Sequence, residues 1–126
     1  MALLVPNLVF AQSVKLVVPW GPGGGNDTAG RMLARHLNEI GQTKYIVENR
    51  PGAGGSLGTT HVVQSRPDGR TLLVNEITGL VFSTAEQANP PYDWQTDLVP
   101  VAYLGTMLPM ILVVNSQSNI QFTPLC

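Results

Sequence analysis

Val14-Lys15-Leu16-Val17-Val18-Pro19-Trp20-Gly21-Pro22-Gly23-Gly24-Gly25-Asn26-Asp27 is the stretch on which the fold turns. Its first seven residues are mostly apolar and β-branched, which predicts a strand buried on both faces. The glycines and Pro22 then exclude regular structure, and Asn26 or Asp27 is placed to cap a helix. Ala29, Met32, Leu33, Leu37 and Ile40 recur at helical spacing and predict the buried face of that helix, with Gly41 as its stop. Arg35 and Glu39, four apart, support the solvated face.

The same unit then repeats. Tyr45–Arg50 reads as a second strand, Pro51-Gly52-Ala53-Gly54-Gly55 as a second glycine loop, and Ser56 as the N-cap of a helix from Leu57 to about Ser65. That helix is weak on propensity, because Thr59, Thr60, Val62 and Val63 are β-branched. Arg66-Pro67-Asp68-Gly69 is a turn, Thr71–Asn75 a third strand, and Gly79–Ala88 a short helix. Asn89–Asp93 is loop, and two apolar strands are expected at Val101–Leu104 and Met110–Val114, with a turn at Gly105–Pro109. Strands alternating with helices predict an α/β fold with a mainly parallel sheet flanked by helices. Both glycine loops leave the carboxyl end of a strand, the edge where such sheets bind ligands.

Composition narrows the function. Seven Lys/Arg against eight Asp/Glu leave no basic surplus, and the cations are scattered, which argues against nucleic acid as a partner. The single cysteine, Cys126, allows no internal disulfide and no cysteine-based metal cage. Leu98–Val114 is 17 residues without a charge, yet Pro100, Gly105 and Pro109 interrupt it, so the chain is not expected to span a membrane. Residues 1–12, MALLVPNLVFAQ, end a short apolar run with Val9 and Ala11 at the −3 and −1 positions of a signal-peptidase site. No basic segment precedes the run. It reads as the remnant of an export signal, against the alternative of an ordinary N-terminal strand.

Glycine loops that open helices let a ligand approach the backbone and present unpaired N–H groups to an anion. A nucleotide is one such anion. Gly21-x-Gly23 begins a dinucleotide fingerprint, but Asn26 stands where its third glycine belongs and Pro22 removes a donor. Glu48 lies near where a ribose-binding acid would fall, which keeps a nucleotide-binding enzyme domain as the alternative. No P-loop, nucleophile elbow or zinc-protease motif occurs, and His36 and His61 read as surface or boundary residues, so no catalytic residue is assigned. Asp93 and Asp97 read as turn and cap residues. Trp20 either walls a pocket or packs at the strand end.

Four ordered runs resemble one family. V-K-L-V-V-P-W-G-P-G-G-G-N-D from Val14, V-E-N-R-P-G-A-G-G-S-L-G from Val47, R-P-D-G-R-T-L-L-V from Arg66 and P-Y-D-W-Q-T-D-L-V-P-V-A from Pro91 are similar to the tripartite tricarboxylate transporter receptors, also called Bug receptors. These are periplasmic solute-binding proteins of bacteria. The resemblance implies one lobe of a type II periplasmic-binding-protein fold, incomplete here, that holds a small carboxylate or amino-acid-like ligand and delivers it to membrane permease subunits. No cofactor is implied. Carried over by motif, the ligand contacts fall on Trp20, Gly23, Gly24, Gly25 and Asp27 in the first loop and on Gly54, Gly55 and Ser56 in the second. Asp27 would repel a bound anion, so a helix-start or water-orienting role suits it better than contact.

The third loop, Asn75-Glu76-Ile77-Thr78-Gly79, departs from the small and hydroxyl residues usual in the family. Thr78 can still donate a hydrogen bond. Glu76 would disfavour a second carboxylate, or favour a ligand bearing an amine or hydroxyl. By the same comparison residues 13–115 form an N-terminal lobe. Residues 116–126, ending Gln121–Cys126, do not continue as the family does. A truncated or frameshifted product would account for that departure, and an intact in-frame gene ending at Cys126 would remove the explanation.

Overall fold

The computed structural model describes residues 13–85 and 87–105. The segments expected to hold an export signal (1–12), the strand Met110–Val114 and the tail 116–126 lie outside the described residues. Three strands, β1 (Val14–Val18), β2 (Tyr45–Asn49) and β3 (Thr71–Leu73), form a parallel sheet in the order β2-β1-β3. The expected α/β architecture is present.

The central strand is the core. Leu16, Val17 and Val18 are fully buried, and each such side chain contributes about 1.5–3 kcal/mol relative to exposure. Successive strand residues face opposite sides of the sheet, so a strand apolar at almost every position must be covered twice. α1 (Gly25–Ile40) lies against β1 and β2, and α2 (Ser56–Val63) against β1 and β3. Gly30 of α1 sits over Val18 and Val47, whereas Gly58 of α2 sits over Pro19, the next residue along and so on the other face. The first crossover runs from β1 to β2 and the second returns from β2 past β1 to β3, and right-handed connections running in opposite directions place their helices on opposite faces.

The buried face of α1 is not the expected one. Met32 and Ile40 are exposed, at 68% and 69%, while Asp27, Gly30 and Ala34 are buried. The helix turns its small residues to the sheet because a Cβ at Gly30 would already lie 3.0 Å from Val18 Cγ2. Leu33 and Leu37 are half-buried beside them. On the outer face Arg35 Nε meets Glu39 Oε1 at 3.0 Å. Both side chains are exposed, so Arg35→Ala should change unfolding stability by less than about 0.5 kcal/mol, measured by denaturant titration.

Both helix starts also differ from expectation. Gly24, not Asn26 or Asp27, is the N-cap of α1, and Gly55, not Ser56, is the N-cap of α2; neither start has a side-chain cap. Asp27 lies inside the first turn, where its carboxylate turns back to accept from the Gly23 amide at 2.8 Å. Ser56 is the first helical residue because the left-handed backbone of Gly55 already makes the turn. Gly41 ends α1 as expected, with extended backbone.

α2 stops at Val63, short of Ser65, whose hydroxyl instead donates to the His61 carbonyl. The third helix, α3 (Ile77–Ala85), starts two residues before the expected Gly79. Val101–Leu104 form no strand; Val101 and Tyr103 are 80% and 79% exposed. A strand exists only where a neighbour supplies the other half of its hydrogen bonds, and none of the described strands pairs with this segment. Further back, Tyr92 is buried and its hydroxyl lies 2.7 Å from Ser83 Oγ, which ties the proline-rich segment to α3. Asp93 and Asp97 close the following turn, with Asp97 Oδ2 accepting from the Asp93 amide at 2.9 Å.

Candidate functional site

All three parallel strands deliver their following loops to one edge, and the loops meet at Trp20. Its indole Nε1–H donates to Asn75 Oδ1 at 2.9 Å. On either side glycine lets the ring in close: a Cβ would stand 3.4 Å from Trp20 Cζ2 at Gly55 and 3.1 Å from it at Gly79. The first loop thus places the aromatic ring, the second and third sheathe it, and Asn75 sets its plane.

Beside the ring lies a cavity of about 400 Å³, lined by Trp20, Gly54, Glu76, Thr78, Gly79, Phe82 and Ser83. That volume lies within the range of small-molecule sites. Its location is the crevice between β1 and β3, where the chain leaves adjacent strands toward different helices, the switch point at which open α/β sheets bind ligands. Of the residues expected at a site, Trp20, Gly54 and Thr78 line the cavity and Gly55 packs against its aromatic wall. Gly23, Gly24 and Gly25 are exposed and not part of the lining, and Ser56 is buried beneath. The first loop still borders the cavity, because Asn26 Nδ2 reaches Glu76 Oε1 at 3.5 Å.

Asp27 is placed differently from a ligand contact. Its carboxylate is buried and engaged on both oxygens: Oδ2 accepts from Arg31 Nε at 2.9 Å and from the Gly23 amide, and Oδ1 accepts from Asn49 Nδ2 at 2.9 Å. The Arg31 hydrogen bond, then those of Gly23 and Asn49, hold this carboxyl well below the usual carboxylate range against the opposing effect of desolvation. Asn49 Nδ2 also donates to the Trp20 carbonyl at 3.1 Å. This cluster ties α1, the end of β2 and the first loop together. Its negative charge in the first turn suits the helix dipole.

Backbone strain is concentrated in the second loop. Gly52, Ala53, Gly54 and Gly55 all have positive φ, and Ala53, at +47°, is the one non-glycine residue to do so among the described residues. An L residue there costs on the order of 1 kcal/mol. The turn is closed from within, the Gly55 amide donating to the Gly52 carbonyl at 3.0 Å and the Ser56 amide to the Ala53 carbonyl.

Asn49, Asn75, Phe82 and Ser83 were not singled out from sequence. For the two asparagines a signal existed, since both sit at the carboxyl end of a strand. Glu48 is not free for a ribose. Lys15 Nζ lies 3.2 Å from one of its oxygens and Arg50 pairs with the other. Burial alone would raise the Glu48 carboxyl, and the two cations outweigh it and hold it below its ordinary value.

Residues 29–123 match the family model described as the tripartite tricarboxylate transporter family receptor. The BugT protein of Bordetella pertussis (strain Tohama I) is 38% identical over 106 residues, which cover 83% of this chain and 32% of that protein. A protein from the tcbD–tcbE intergenic region of Pseudomonas sp. (strain P51) is 39% identical over 110 residues, covering 86% of this chain and 32% of its own. A solved structure of a periplasmic transporter has a TM-score of 0.59 at 29% identity, over 64% of this chain and 27% of that one. The chain spans about a third of the length of the curated relatives it matches. The family match takes in β2, α2, β3, α3 and α1 from residue 29 onward, and on it the chain belongs to the tripartite tricarboxylate transporter receptor family.

Proposed function

We propose that this chain is the N-terminal lobe, residues 13–115, of a periplasmic solute-binding receptor that captures a small carboxylate for a tripartite transporter with membrane subunits. One observation carries the proposal: a cavity of ligand size lies at the carboxyl edge of a parallel sheet, bordered by the first loop, which opens α1 without a side-chain cap. The first N–H groups of a helix have no partner within it, and a helix start left uncapped keeps them for an anion. Main-chain donors of Gly24, Gly25 and Gly54 would grip the carboxylate, the amides of Gly23, Gly55 and Ser56 being already given to Asp27 Oδ2, the Gly52 carbonyl and the Ala53 carbonyl. Trp20 and Thr78 would wall it, and Asp27 would hold the first loop in place. The family's name and the periplasmic transporter of similar fold support the transporter partner and the periplasmic setting. None of the described helices is long and apolar enough to cross a membrane.

Thermal unfolding of the full chain with millimolar di- and tricarboxylates, amino acids and nucleotides tests this. A ligand at a hundred times its Kd stabilises the folded state by about 2.7 kcal/mol, a rise of roughly 10 °C in Tm. Carboxylates, alone or within amino acids, should raise the midpoint and nucleotides should not. A shift with nucleotides alone would favour the enzyme-domain alternative and sink the receptor proposal.

A further inference from the structure

The third loop puts a carboxylate where a receptor for simple carboxylates has no use for one. Glu76 lines the cavity together with the aromatic residues Trp20 and Phe82. Its one side-chain hydrogen bond among the described residues is the 3.5 Å contact from Asn26, and no described Lys or Arg pairs with it. Lys15, Arg31, Arg35, Arg50 and Arg70 are each engaged by another acid. A carboxylate beside two aromatic rings and the hydroxyl residues Thr78 and Ser83, with no described cation of the protein's own, repels a ligand carboxylate and attracts an ammonium. Aromatic rings add to that attraction through their quadrupoles.

We propose that the ligand of this cavity carries an ammonium group, held by the Glu76 carboxylate and the rings of Trp20 and Phe82, with its carboxylate toward the glycine loops. The inference rests on the receptor proposal for the carboxylate end and names the ligand class as amino acids or other amino-carboxylates. The two charged ends are then matched separately. Main-chain N–H groups of Gly24, Gly25 and Gly54 meet the anion, and Glu76 meets the cation. A dicarboxylate of the same length would place its second charge against Glu76.

Matched probes separate the two ends. L-glutamate and glutarate, and 4-aminobutanoate and butanoate, differ only in the ammonium, and butylamine lacks the carboxylate. Binding to the full chain is read by tryptophan fluorescence and by thermal shift. The amino member of each pair should bind roughly tenfold more tightly than its partner, and Glu76→Gln should abolish the preference. Phe82→Leu should reduce it. Glu76 and Phe82 are not core residues, so unliganded midpoints close to that of the parent chain verify that both variants fold.

Glutarate and butanoate binding as well as their amino partners would overturn the proposal and leave carboxylate capture standing. A preference unchanged in Glu76→Gln would also overturn it. Butylamine binding as tightly as 4-aminobutanoate, with no response to the simple acids, would support the cation site and overturn the carboxylate reading. No response to any probe would overturn both.

Discussion

Gly58→Ala should lower the stability of the chain by about 2–3 kcal/mol, the upper part of the range for overpacking a well-filled interior. For a domain of this size that is a fall of roughly 10–20 °C in Tm. The new methyl group would lie 2.8 Å from both the Arg50 carbonyl oxygen and Pro19 Cβ, and 2.9 Å from Pro19 Cα. Two of those three atoms are backbone, and Pro19 is a fully buried ring. No rotamer change relieves the overlap, so α2 must lift from the sheet. The higher helix propensity of alanine, worth about 1 kcal/mol, offsets only part of this. Gly21→Ala is the control: nothing lies within 4 Å of its Cβ position and its φ is not left-handed, so it should stay within about 0.5 kcal/mol. Thermal and urea unfolding of both variants measure the contrast. Equal midpoints would mean that α2 is not seated on Pro19.

Asp27→Asn should be the most damaging of the polar substitutions, and its effect should depend on pH. The amide would keep one acceptor and gain two donors. A donor would then face either the Gly23 amide and Arg31, or Asn49, each of which is itself a donor. The Asp27 carboxyl is held well below the usual carboxylate range, first by Arg31 and then by Gly23 and Asn49. A depressed carboxyl stabilises the fold fully above its unfolded value near pH 4, and that stability is lost as the pH falls through the folded value. The gap between parent and variant should therefore be constant from pH 5 to 8 and close progressively below pH 4. Denaturant titrations at a series of pH values read it. A gap that persists unchanged to pH 2 would mean that the charge of Asp27 is not what stabilises the turn.

The residues at stake show what could be read in advance. β1, β2 and the two glycine loops were legible because a buried strand ending in glycine and opening a helix is a local pattern. Arg35–Glu39 was legible because four residues on a helix fix the distance between side chains. Asp27 was noticed, and like-charge repulsion removed it from direct contact. Its actual partners were not foreseeable, since Asn49 comes from 22 residues away. The same holds for Trp20, whose two readings were even until Asn75, 55 residues away, was found to hold its ring. Trp20 lines the cavity and packs at the strand end at once.

The fold class, the parallel sheet and the edge at which loops gather follow from patterns within some thirty residues, and the family from four such runs in order. Tertiary packing alone settles which side of α1 is buried, which residues start the helices and which loop lines the cavity. Those depend on strand order. With β1 between β2 and β3, the first and third loops become neighbours across the crevice, and Glu76 is brought beside Trp20 and Phe82. The same order sets Gly30 over Val18, so that a small residue rather than Met32 must face the sheet. Hydrophobic spacing states that a face will be buried; the shape of the surface beneath it selects the face.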